Sequence, residues 1–269
     1  MNDSAIGIFD SGMGGLTVLR ALIARLPNEH TVYLGDTARL PYGTKSSDTV
    51  ARYAMQAAQS LMTRRVKLLV IACNTASASA LPALTEAFAP IPVIGVIGPG
   101  AEAAVAAAPN GPIAVIATEG TVNGGAYTRA IRARANGIEV IQQACPLFVP
   151  LAEEGLTNGE IARAVAHHYL APLKSRSPKG LVLGCTHFPV LADVIAEAIG
   201  PAVTVVDSTA TTAAAVEARL QELNLLRETR SPASRQYLVT DAPERFARVG
   251  QLFLGTAIDP KAVELVDLQ

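Results

Sequence analysis

Short apolar runs recur along the chain, and amphipathic or alanine-rich stretches separate them. The runs at residues 5–9, 31–35, 67–72, 113–117 and 180–184 are continuous in hydrophobicity rather than alternating. A continuous run of that length reads as a strand buried on both faces, the habit of a parallel sheet. Further strands are predicted over 92–97, 138–142, 203–206, 235–240 and 262–266. Helices are predicted over 16–26, from Ser46 or Ser47 to about 65, over 74–88, 101–108, 120–135, 158–170, 189–199, 209–223 and 242–254. A polar loop spans 37–45, Gly98-Pro99-Gly100 stops the strand before it, and 144–150 reads as an apolar loop with two prolines. Strand and helix alternate throughout, so the fold class is α/β with parallel sheets.

In such folds ligands bind beyond the carboxyl ends of the strands. Polar side chains gather at those ends: Asp10-Ser11, Asp36, Cys73-Asn74-Thr75, Thr118, Cys185-Thr186-His187 and Asp207. Two of these turns share a layout. LLVIACNTASASAL and LVLGCTHFPVL each run from an apolar strand through a small residue to a cysteine followed by small polar residues. Both cysteines are expected at the start of a helix, where peptide dipoles and free N–H groups lower a thiol pKa. The pair points to two thiols facing one another across a site, and to two related halves of the chain.

A length of 269 residues fits about two domains at ~150 residues each. Half of the residues are hydrophobic and the net charge is −1, with no basic tract. Nucleic acid and anionic membrane are therefore not expected as partners. No secretory leader and no run of ~18 apolar residues is visible, which places the chain in the cytoplasm. Three cysteines without a CxxC pair are expected to be free, reduced thiols.

The competing chemistries find little support. Cys185 and His187 are one pair of possible zinc ligands, and nothing supplies the third and fourth, so no metal is expected. Asp10-Ser11-Gly12-Met13-Gly14-Gly15 is neither a GxGxxG fingerprint nor a P-loop, and it offers backbone N–H groups to a carboxylate instead. Cys145, flanked by apolar residues and proline, reads as a packed thiol. A thiolate and a thiol on opposite faces of a carbon can remove a proton from one side and return one to the other. Preorganised donors around the adjacent carboxylate would stabilise the carbanion, and Ser11, Asn74, Thr75, Thr118, Thr121 and Thr186 are suitable. His187, two residues from Cys185, suits an acid/base or orienting role.

The stretches IGIFDSGMGGLTVLR, YLGDTARLPYGTKS, IACNTASASAL, PVIGVIGPG, ACPLFVPLAEEG and LVLGCTHFPVL closely resemble the glutamate racemases of the cofactor-independent aspartate/glutamate racemase superfamily. The resemblance implies interconversion of L- and D-glutamate without a cofactor, supplying D-glutamate for peptidoglycan. It implies two similar α/β domains, residues 1–97 with 208–269 and residues 98–207, with the site between them. Carried over, Cys73 acts on the D-glutamate face and Cys185 on the L-glutamate face. Asp10, Glu153 and His187 assist the thiols. Asp10, Ser11, Pro41, Tyr42, Gly43, Asn74, Thr75, Thr118, Thr121, Thr186 and His187 contact substrate. A homodimer is implied too. The chain departs from the pattern at Phe188, where tyrosine is common, and at Gly124, where serine is frequent.

Overall fold

The structure is a computed structural model that describes residues 2–229 and 231–268. Among the described residues, ten strands form two sheets, every pairing parallel. The first sheet contains β1 (Ile6–Asp10), β2 (Thr31–Gly35), β3 (Leu68–Ile71), β4 (Val93–Gly95), β9 (Arg235–Val239) and β10 (Val263–Leu265) in the order β10-β9-β2-β1-β3-β4. The second contains β5 (Ile113–Ala117), β6 (Val140–Ala144), β7 (Gly180–Gly184) and β8 (Thr204–Asp207) in the order β6-β5-β7-β8.

The continuous apolar runs behave as parallel strands should. Ile6 and Ile8 of β1 join one buried cluster and Phe9 joins another on the opposite face. Each such side chain contributes ~1.5–3 kcal/mol by leaving water. The first cluster continues into the second sheet through Phe148, Leu183 and Phe188. The two sheets therefore share a core at the ends that face each other.

Eleven α-helices connect the described strands: α1 (Leu16–Arg25), α2 (Ser47–Thr63), α3 (Asn74–Ala87), α4 (Ile97–Ala107), α5 (Glu119–Asn123), α6 (Ala126–Arg134), α7 (Phe148–Glu153), α8 (Gly159–Lys174), α9 (Ala192–Ile199), α10 (Ser208–Glu222) and α11 (Pro243–Leu254). The chain leaves the first sheet through α4 and returns through α10, and these two helices pack on each other. Helix α1 packs against α10 and α11. Among the described residues, no helix is long and apolar enough to cross a membrane.

Four elements differ from the sequence expectation. The strand expected through residue 97 ends at Gly95, and α4 runs through Gly98-Pro99-Gly100. Pro99 falls in the first helical turn, where no N–H partner is lost. The helix expected over 120–135 is two helices, because Gly125 turns left-handed at φ +60. The apolar loop at 144–150 holds the end of β6 and the first residues of α7, with Pro150 again in a first turn. After Cys185 the chain makes a 3₁₀ turn, Phe188–Leu191, before α9 begins.

Candidate active site

In each sheet the strand order reverses at one place, where the chain fills in strands on both sides of an earlier one. In the first sheet it lies between β1 and β3, and in the second between β5 and β7. Such switch points open a crevice at the carboxyl ends of the strands. Ser11 and Cys73 follow β1 and β3; Thr118 and Cys185 follow β5 and β7. The two crevices face each other across one cavity lined from both sheets.

Cys73 and Cys185 both line this cavity, 5% and 7% exposed. They are otherwise unlike. Cys73 caps α3 and its sulfur accepts the Ala76 N–H at 3.5 Å. Its thiol faces the Ser11 hydroxyl oxygen at 3.5 Å. The helix terminus does not win here. Burial and the nearby Asp10 charge push the Cys73 thiol up to about 12, against the opposing pull of those two hydrogen bonds. Cys185 has no α-helix behind it, since α9 starts seven residues later. Its partner is His187, whose Nδ1 lies 3.8 Å from the sulfur.

His187 is 6% exposed, and burial alone would lower its pKa. Its contacts with Cys185 and Glu153, with Asp10 beyond them, outweigh that and raise it to about 10. It is therefore an imidazolium at neutral pH. Glu153 Oε1 stands 3.2 Å from His187 Nε2, and Arg245 Nη2 donates to Glu153 Oε2 at 3.1 Å. Burial would raise the Glu153 pKa, but His187 and Arg245 together hold it below the usual value. The imidazole reaches its place because Gly14 has no side chain. A Cβ there would collide with His187 Nδ1 and come within 2.6 Å of Thr186 Oγ1.

The other expected contacts divide into wall and support. Ser11, Pro41, Tyr42, Gly43, Asn74, Thr75, Thr118, Glu153, Thr186 and His187 line the cavity with the two cysteines. Asp10 and Thr121 do not; both are fully buried behind it. Asp10 takes the Gly12 N–H at 2.9 Å and the Thr186 hydroxyl at 3.5 Å. The glycine-rich turn thus serves the carboxylate of Asp10 itself, and burial raises that carboxyl's pKa. Thr121 Oγ1 lies 3.2 Å from both the Thr75 and the Thr118 hydroxyl, which are 2.9 Å apart. Asn74 accepts from the Tyr127 hydroxyl at 2.8 Å, and its amide nitrogen has no partner. That leaves one buried donor for a bound acceptor.

Two strand-end carboxylates are occupied elsewhere. Asp36 accepts from Tyr42, from Arg39 at 2.7 Å and from Thr240 at 2.9 Å, which fixes the loop carrying Pro41-Tyr42-Gly43. Asp207 caps α10 through the Thr209 N–H at 2.9 Å. Cys145 is buried with its thiol toward the Gln143 carbonyl, and Phe188 stacks edge-on against Phe148. Gly12, Leu40 and Val149 complete the wall and carried no chemical signal in the sequence. Arg245 and Tyr127 were also missed. Their partners are 92 and 53 residues away, beyond any local pattern. Among the described residues, no three histidine, cysteine or carboxylate side chains converge as metal ligands.

Two thiols from opposite sheets thus share one cavity with a wall of hydroxyl, amide and imidazole groups. The family model described as Asp/Glu/Hydantoin racemase matches residues 6–216. A glutamate racemase of Geobacter metallireducens is 53% identical over 251 residues, covering 93% of each chain. The structure of a glutamate racemase from Francisella tularensis in complex with D-glutamate aligns at TM-score 0.93 and 39% identity, covering 100% of this chain and 99% of that one. A glutamate racemase isoform from Bacillus anthracis aligns at TM-score 0.95 and 36% identity, with the same coverage.

Proposed function

The chain belongs to the Asp/Glu/Hydantoin racemase family and is an amino-acid racemase, and we propose that it interconverts L- and D-glutamate by a two-base inversion using Cys73 and Cys185. The observation that carries this reading is the pair of buried thiols that line one cavity from opposite sheets. The relatives named above, and the D-glutamate held by one of them, supply the substrate.

The thiolate of one cysteine takes the α-proton, and the C–H electron pair moves onto the adjacent carboxylate. The thiol of the other cysteine then gives its proton to the opposite face. One proton leaves and one arrives, and the sulfurs exchange protonation states. Cys73 works on the D-glutamate face and Cys185 on the L-glutamate face. Imidazolium at His187 can pair with a thiolate at Cys185 and lend it a proton when the thiol must form. Cys73 has no such partner, and its raised pKa keeps it a thiol before substrate binds. An α-ammonium arriving beside it would offset both burial and the Asp10 charge. The unpaired Asn74 amide and the hydroxyls of Thr75, Thr118 and Thr186 are the donors for the two carboxylates. Asp10 and Thr121 support them from behind. The chemistry uses only these side chains and needs no cofactor.

In the same reading the chain divides into lobes near residues 98 and 208, acts in the cytoplasm as a homodimer, and supplies D-glutamate for peptidoglycan. Purified, extensively dialysed protein incubated with each enantiomer of glutamate and of aspartate, followed by chiral chromatography, tests the function. Glutamate should reach an equal mixture from either side while aspartate stays nearly unchanged. Failure on glutamate, or faster turnover of aspartate, overturns the assignment.

A further inference from the structure

Glu153 sits where the cavity meets an open groove lined by Glu154, Arg248, Gln251 and Leu252. A carboxylate at such a boundary has two competing fates. It can stay on the histidine or swing into water. Its two oxygens take different partners: Oε1 on His187 Nε2 at 3.2 Å and Oε2 on Arg245 Nη2 at 3.1 Å. Glu153 is carried by α7, beside the second sheet, and Arg245 by α11, which packs on α1 beside the first. The ion pair therefore bridges the two halves, and the carboxylate at its centre is the one that reaches the catalytic histidine.

We propose that Arg245 is a positioning residue: by gripping Glu153 from the opposite half it aims the second carboxylate oxygen at His187, so closure of the site and readiness of Cys185 are set together. This rests on the racemase reading for its kinetic consequence, though not for its geometry. The groups facing Glu153 are His187 and Arg245, and Glu154 lies 3.7 Å from the same guanidinium. Arg248, lining the adjoining groove, is the other cation at this boundary. Both partners of Glu153 favour its ionised form, so loss of one raises its pKa. The Arg245 side chain is 36% exposed, which tempers the effect through solvent screening.

The test compares Arg245→Met with Arg245→Lys. Two readouts are taken: the pH profiles of kcat and kcat/KM, and the ¹³C titration of the Glu153 carboxyl, assigned by its loss in Glu153→Gln. In Arg245→Met, kcat should fall about tenfold with KM within about twofold, and the acid limb should move up by about half a pH unit. The Glu153 carboxyl should titrate higher by a similar amount. Arg245→Lys, which restores the charge, should recover most of the rate. An unchanged Glu153 titration in Arg245→Met, with kcat within twofold of the parent, overturns the proposal. If the parent protein racemises nothing, the function falls, and the carboxyl titration alone decides the role of Arg245. Should the methionine variant fail to fold by circular dichroism, Arg245→Gln is judged on the same two readouts.

Discussion

Cys73 and Cys185 hold matched places, each after the strand that flanks the reversal point of its own sheet, yet their surroundings share little. Cys73 caps a fourteen-residue helix, touches a serine hydroxyl and has its pKa raised by burial. Cys185 precedes a 3₁₀ turn and lies against a buried imidazolium held by a carboxylate. The lesson is that a symmetric reaction does not need a symmetric site. L- and D-glutamate have equal free energies in an achiral solvent, so kcat/KM must be the same in both directions for any variant. If the two thiols are the bases, their inequality must show itself elsewhere, in isotope effects and in pH dependence.

The largest effect tests whether both thiols matter. Cys73→Ala and Cys185→Ala should each lose about 10³-fold or more in kcat, measured by circular dichroism of the glutamate enantiomers. Full activity in either would leave only one base in use. The next effect tests the difference between the sides. His187→Asn should lose about 10²-fold, and Gly14→Ala, which drives a methyl group into His187 Nδ1, should act similarly at unchanged fold. In both, the primary deuterium effect on kcat/KM with α-deuterated L-glutamate should rise. With the D enantiomer it should fall toward one, because reprotonation at Cys185 then limits the rate. Equal changes for both enantiomers would mean that His187 serves the two thiols alike.

A smaller effect concerns stability. The folded-state pKa of His187, about 10, lies above its ordinary value of 6.5. Its ionic contacts therefore stabilise the fold fully below pH 6.5, and that contribution is lost as pH rises through 10. Denaturant titrations of the parent and His187→Asn should show a stability gap that closes across this window. A gap that widens with pH would mean the imidazole is buried neutral. The smallest effect belongs to the hydroxyl cluster behind the wall. Thr121→Val should raise KM only about two- to fivefold, the worth of one hydrogen bond.

Much of this was legible in the sequence because it is local. The buried strands showed as unbroken apolar runs, and both cysteine turns showed as strand ends followed by small polar residues. Glu153 and the loop at Pro41-Tyr42-Gly43 came with the resemblance and lie in the cavity wall. What stayed hidden depends mostly on contacts distant along the chain. Arg245 meets Glu153 across 92 residues, and Thr240 reaches Asp36 across 204. The thiol pKa of Cys73 was misjudged because a helix start is visible in sequence while the depth of burial that opposes it is not. Cys185 lacks its expected α-helix because Phe188–Leu191 tightens into a 3₁₀ turn first.

The central claim is tested most directly by early-time turnover of D-glutamate in deuterium oxide, with substrate and product separated and weighed by mass spectrometry. Two distinct bases predict L-glutamate carrying one deuterium at the α-carbon while the remaining D-glutamate keeps its hydrogen. Product that retains the original α-hydrogen, or substrate that gains deuterium as fast as product forms, would contradict it.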